Sequence, residues 1–171
     1  MQAGKTDRFE QNLEDLGVTS ERVELRDLTD AIVSATIDPA VSTKQLSKDA
    51  WLSDTAITVD PTPSQLWNAK TGVTLAAFGI ADYGSLYLPE DDQGSELISL
   101  FIDHHVAVIR ESDIVPNMNE AFDLIDESVG IQRGSGIIAT GPSATADMGE
   151  LVQGAHGPES VHVIVVTDGE R

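Results

Sequence analysis

Runs of apolar, mostly β-branched residues at 106–109, 136–139 and 161–166 are separated by segments whose apolar side chains recur at helical spacing. Apart from His162, successive residues in these runs are apolar or glycine, where a strand with one wet face would alternate, so a strand built from them hides both faces. A sheet hidden on both faces needs helices on each side, joined by right-handed crossovers. The pattern predicts an α/β fold: a three-layer α/β/α arrangement with a mainly parallel sheet that includes all three runs. At 171 residues the chain suffices for one such domain, residues 1–171, with a sizeable core.

The elements follow from local spacing. Residues 7–16 place Phe9, Leu13 and Leu16 at i, i+4 and i+7, and Gly17 ends the helix. Residues 22–25 read as a short strand, and 27–37 as a helix with Leu28, Ile32 and Val33 on one face. A strand signal at 56–59 is closed by Asp60-Pro-Thr-Pro63, after which Ser64 is expected to cap a helix at 65–69. Residues 71–89 hold two β-like stretches around a glycine-punctuated turn. A short helix through Leu100, the strand 106–109 and a helix at 113–128 come next. The last quarter reads strand 136–139, loop 140–147, a helix to Val152, and strand 161–166.

Charge narrows the partners. Twenty-nine acidic residues against 10 basic leave −19 at pH 7. A phosphate-binding surface needs clustered Lys and Arg, so nucleic acid and anionic membranes are poor partners for this chain. The acid is spread along folded-looking segments, as on proteins that work in high salt, where screening removes self-repulsion. No apolar run approaches the ~20 residues that span a bilayer. The first 14 residues lack the features of an export signal, so a cytoplasmic location is expected. With Cys 0 there is no thiolate nucleophile and no cysteine-ligated cluster or zinc site.

Ligands of parallel sheets bind beyond the carboxyl ends of strands, where loops lead into helix N-termini. Two loops fit. In Gly79-Ile-Ala-Asp-Tyr-Gly-Ser85, Gly84 permits positive φ while Asp82 and Ser85 offer polar groups, although a tight turn between strands needs the same residues. Gly141-Pro-Ser-Ala-Thr-Ala-Asp147 follows a strand and opens an expected helix, so its amides suit a carboxylate or phosphate. Equally, Ser143 or Thr145 suits a cap, with Asp147 favourable at the positive helix end. Both loops are expected to open on one sheet edge with His105 and His156 beside them. There Ser143 and Thr145 would hold a substrate carboxylate while Asp82 or His156 exchanges a proton. The catalytic candidates are therefore Asp82, His105 and His156. The binding candidates are Gly84, Ser85, Gly141, Ser143, Thr145 and Asp147. His156, between Gly154 and Gly157-Pro158, suits proton exchange near neutral pH and equally suits fixing its loop.

Sharper motifs fail. Gly134-Ser-Gly136 precedes its strand, the reverse of a dinucleotide turn; there is no P-loop, and Ser143 lacks a Gly-x-Ser-x-Gly setting. His104 and His105 point to opposite faces of a strand, and His156 and His162 lack ligand spacing, so no metal site is expected.

Gly141-Pro-Ser-Ala-Thr-Ala-Asp147, Leu151-Val-Gln-Gly-Ala-His-Gly-Pro158 and Val161-His-Val-Ile-Val165 together resemble the C-terminal signature of the LUD-domain family, in its lactate utilization protein C group. Upstream, 79–85 is similar to the family's Ile-Ala-Glu-Thr-Gly-Ser/Thr turn, and His105-Val-Ala-Val-Ile109 to its His-Ile-x-Val-Val strand. The resemblance spans about residues 71–166, with Asp82 and Tyr83 departing from the commoner Glu and Thr, and Asp147-Met148-Gly149 from Asp-Ile-Glu. The chain is also shorter at its N-terminus than typical members. The resemblance implies a fold similar to the sugar-phosphate isomerase and CoA-transferase group. It also implies a part in oxidising L-lactate to pyruvate beside separate iron–sulfur oxidoreductase subunits. Lacking cysteine, this chain is expected to carry no cofactor and to leave the clusters to those partners. The alternative is a stand-alone enzyme or binding module for a phosphorylated or CoA-linked small acid.

Overall fold

A computed structural model describes residues 4–47, 51–90, 92, 94–132, 135–147, 150–153 and 157–167. The chain opens with α1 (Lys5–Asp15), β1 (Thr19–Glu24), α2 (Leu28–Ala35), β2 (Ala40–Ser42), β3 (Thr58–Val59) and α3 (Pro63–Asn68). It continues through β4 (Thr71–Leu75), β5 (Phe78–Ile80), β6 (Ser85–Pro89), α4 (Ser95–Leu100), β7 (His104–Arg110), β8 (Ile114–Val115) and α5 (Met118–Gln132). It closes with β9 (Gly136–Thr140), β10 (Ala144–Asp147), β11 (Glu150–Gln153) and β12 (Ser160–Thr167).

Six strands form a sheet in the order β1-β12-β7-β4-β2-β3, and every neighbouring pair is parallel. The α/β class is as the apolar runs predict, because β7 and β12 are buried on both faces. Alternation along β7 sends Val106 and Val108 to one core with Leu28 and Ile32 of α2. It sends Ala107 and Ile109 to another with Phe9 and Leu13 of α1. Among the described residues no helix is long and apolar enough to cross a membrane.

The second side of this sheet departs from a purely helical layer. It carries α1 together with a four-stranded sheet in the order β8-β5-β6-β9, in which β6 pairs antiparallel with both β5 and β9. Residues 136–139, expected in the parallel sheet with 106–109 and 161–166, lie in this second sheet. The reason is visible at residues 76 and 77. The Ala76 amide still donates to Val108 O in β7 at 2.9 Å, whereas the Ala77 amide donates to Tyr87 O in β6 at 3.0 Å. The chain thus changes sheets within one residue, and the two stretches read from 71–89 become the three strands β4, β5 and β6. On the outer face of the second sheet, Phe78 stacks on Tyr87 with centroids 4.7 Å apart, above Ala121 of α5.

Three further expectations are corrected. Thr62, not Ser64, caps α3: its hydroxyl accepts from the Gln65 amide at 3.4 Å while Gln65 Oε1 accepts from the Thr62 amide at 2.9 Å. Pro63 has no N–H to satisfy and takes the first helical position, which makes the preceding residue the cap. The helix expected from residue 113 starts at Met118, because Ile114 and Val115 pair with β5 and Pro116 separates them from the Asn117 side chain, which accepts from the Glu120 amide at 3.1 Å. The helix expected to end at Val152 is instead the hairpin β10–β11, with Thr145 opposite Val152 and Asp147 opposite Glu150. Thr145 and Val152 are β-branched residue types that favour strands, while Gly149 disfavours a helix by about 1 kcal/mol.

Candidate functional site

A cavity of about 300 Å³ lies between the two sheets, walled by α1, β6, β9, β7 and β12. Its residues from the parallel sheet come from the first half of each strand: His105 is second in β7, and Val161 and Val163 are second and fourth in β12. Val18, just before β1, and Gly157-Pro158, just before β12, also line it. The cavity therefore opens at the amino ends of the parallel strands, opposite to the carboxyl-end edge expected from the sequence. The physical cause is the sheet change at residue 76, which puts both candidate loops on the second sheet.

The two loops do converge, by a different route. β6 and β9 run antiparallel with Ser85 opposite Thr140, so the turn before β6 meets the turn after β9. The Ser85 hydroxyl and the Thr140 hydroxyl lie 2.7 Å apart and tie these ends together. Gly84 and Gly141 both line the cavity in left-handed conformations, with φ of +60° and +72°. At Gly84 a Cβ would come within 2.9 Å of the Asn12 carbonyl carbon and the Leu13 amide, so α1 leaves room there for glycine only. The Ser143 amide donates to Pro158 O at 2.8 Å and joins the loop after β9 to the loop before β12.

The other predicted residues sit as follows. Asp82 does not line the cavity; it faces outward, paired with Arg8 at 3.1 Å, while Arg8 also donates to Pro116 O at 3.0 Å. The Asn12 side chain donates to Ala81 O at 2.7 Å, so this turn is fastened to α1 from outside. Thr145 and Asp147 are strand residues of β10, which removes the helix N-terminus proposed to bind an anion. His156 lies outside the described residues.

His105 is buried, with Nε2 2.8 Å from the Thr74 hydroxyl. Burial, and secondarily the neighbouring His104, push its pKa down to about 4, so the ring is neutral at physiological pH. His104 points to the other face, where Ser160 Oγ is 2.7 Å from Nδ1 and Ala35 O is 3.0 Å from Nε2. Burial lowers its pKa too. His162 engages Thr19 Oγ1 at 2.7 Å and Glu21 at 3.2 Å. Each of these two rings has both nitrogens occupied, and among the described residues no group of three or more His, Cys, Asp or Glu side chains can hold a metal. Sequence reasoning missed Thr74, Ser99 and Leu100, whose placement follows from strand pairing and from the short α4, neither of which leaves a local signal.

An all-parallel sheet backed by a smaller, mainly antiparallel one, with a cavity between them at strand amino ends, defines a two-sheet α/β domain. The chain belongs to the LUD-domain family, whose LUD domain matches residues 3–166. It is similar to lactate utilization protein C of Oceanobacillus iheyensis, 35% identical over 102 residues, covering 57% of this chain and 44% of that protein. It is similar also to that of Deinococcus radiodurans, 36% identical over 107 residues, covering 60% of this chain and 49% of the relative. The matched stretch is thus about half the length of these relatives or less. A crystal structure of a DUF162 family protein from Deinococcus radiodurans superposes with a TM-score of 0.75 at 24% identity, over 96% of this chain and 99% of that one, and shares the fold.

Proposed function

We propose that this chain works in lactate utilization, as a cluster-free subunit in the oxidation of L-lactate to pyruvate beside iron–sulfur oxidoreductase partners. The observation that carries the reading is the similarity to proteins named lactate utilization protein C. With Cys 0, cysteine-bound clusters belong to other chains. In this reading the cavity bounded by Gly84, His105, Gly141 and Ser143 is where the subunit meets a small molecule. Ser85 and Asp82 fix the turn beside it, Thr145 and Asp147 are strand residues of the following hairpin, and His156 is carried forward as a candidate from the sequence alone. The alternative, a binding site for a phosphorylated or CoA-linked acid, is disfavoured because no Lys or Arg lines the cavity among the described residues.

Co-purification from the native host, followed by a lactate-oxidation assay, tests the proposal. The expected result is association with iron–sulfur proteins, lactate oxidation by the assembly and none by the isolated chain. Robust turnover by the isolated chain, or a purified assembly free of iron–sulfur proteins, would overturn it.

A further inference from the structure

We infer that Thr74 is a positioning residue: its hydroxyl donates to Nε2 of His105, which leaves the ring proton on Nδ1 and presents a neutral N–H to the cavity for a keto or carboxylate oxygen of a small acid. The inference rests on the reading of this cavity as the small-molecule site. It gives that site a hydrogen-bond donor and the residue that sets it.

The direction of one hydrogen bond carries the argument. The Thr74 hydroxyl is buried 2.8 Å from His105 Nε2, and that nitrogen is its one hydrogen-bond partner among the described residues. A hydroxyl has one proton and two lone pairs. Were it to accept from an Nε2–H, its own proton would be sealed in the core without an acceptor, and an unpaired buried donor costs more than an unpaired lone pair. Donating to Nε2 satisfies it. Burial keeps the ring neutral at physiological pH, so the imidazole carries a single proton, and that proton is left to Nδ1.

Nδ1 is placed to use it. It has no partner among the described residues, and the described polar atoms sealed in without a partner are Thr43 Oγ1 and Ser95 Oγ, so Nδ1 keeps open surface. The space that His105 lines is the cavity, whereas Thr74 stands behind the ring and does not line it. Two lining hydroxyls are already engaged: Ser99 donates to Glu96 O at 2.7 Å, and Thr140 pairs with Ser85. The ladder fixes where the donor sits, because His105 is paired with Gly72 of β4 and Val161 of β12. A neutral N–H donates to a keto oxygen and to a carboxylate oxygen alike, and pyruvate offers both.

Nitrogen–proton correlation NMR on the purified chain, labelled at its histidine rings and held at neutral pH, reads the tautomer directly. The His105 signals are assigned by their loss in His105→Gln. The expected spectrum has Nδ1 protonated and Nε2 accepting, and titration with pyruvate shifts the Nδ1 signal saturably. Thr74→Val removes the hydroxyl and keeps the branched shape. It should release the ring to a mixture of tautomers and weaken pyruvate binding about three- to tenfold, the share of one neutral hydrogen bond. Thr74→Ser should restore both, which a purely structural role for Thr74 would not produce. The parent spectrum decides the direction of the bond even if Thr74→Val does not fold. Nε2 protonated in the parent, an Nδ1 signal that pyruvate leaves unmoved, or a folded Thr74→Val chain with the parental tautomer and affinity overturns the inference. The tautomer is read without ligand or partner, so its failure is distinct from failure of the co-purification experiment.

Discussion

Replacing Gly84 with alanine tests how the candidate loop is held against α1. The residue has φ +60°, a conformation that costs an alanine about 1–2 kcal/mol. The added Cβ would also lie 2.9 Å from two backbone atoms of Asn12 and Leu13, which no side-chain rotation relieves. Overpacking of that kind costs about 1–3 kcal/mol, so the total is about 2–5 kcal/mol. Gly17→Ala is the internal control: φ is +75° there, with no atom within 4 Å of the added Cβ, so it should lose only the conformational part. Urea unfolding of the parent and both variants reads the difference. A larger loss at Gly84 than at Gly17, by at least about 1 kcal/mol, is expected from the added steric contact. Equal losses would mean that α1 and the 81–84 turn are not packed as described, and the reasoning about the cavity wall would fail with them.

Thr62→Ala should destabilise by about 1 kcal/mol through loss of the α3 cap, whereas Ser64→Ala should cost much less in the same denaturant titration. Asp82→Asn should cost less than about 1 kcal/mol, because the Arg8 pair is solvent-exposed at its carboxylate; a multi-kcal loss would give Asp82 a larger role than fixing the turn. For His105 the folded pKa is about 4 against an ordinary 6.5. Its unfolded form therefore takes up a proton that the folded form refuses, and stability is retained above about pH 6.5 and falls as pH drops toward 4, by roughly 3 kcal/mol. His105→Gln should flatten that part of the pH–stability curve, and an unchanged slope in the folded variant would contradict the burial argument. Thermal melts should move upward from dilute buffer to molar KCl, since 10 basic residues cannot offset 29 acidic ones; a melting temperature that is flat or falls with salt refutes the screening argument.

The parts of the fold legible in the sequence are those fixed by local chemistry. Phe9, Leu13 and Gly17 mark α1 and its stop, and the unbroken apolar runs of β7 and β12 mark strands buried on both sides. What was not legible depends on pairing. Nothing near residues 136–139 tells a strand of the parallel sheet from one of the second sheet, because both bury apolar side chains. Pairing with Ser85–Pro89 makes β9 antiparallel, through a register set 47 to 55 residues away in sequence. The hairpin β10–β11 was missed for a related reason: a four-residue ladder carries too few residues to show its period, so helix and strand signals were indistinguishable there.

That same pairing brings the two glycine-bearing loops together at the amino ends of the parallel strands instead of their carboxyl ends. Loop chemistry tells which residues tolerate positive φ and offer amides, and both properties are local. The strand end at which a loop lies is set by sheet membership, and the single-residue passage from Val108 to Tyr87 hydrogen bonding at Ala76 and Ala77 decides it. Once β5, β6 and β9 form their own sheet, the loops face the starts of β7 and β12, and among the described residues the titratable group lining the cavity is His105 and not Asp82.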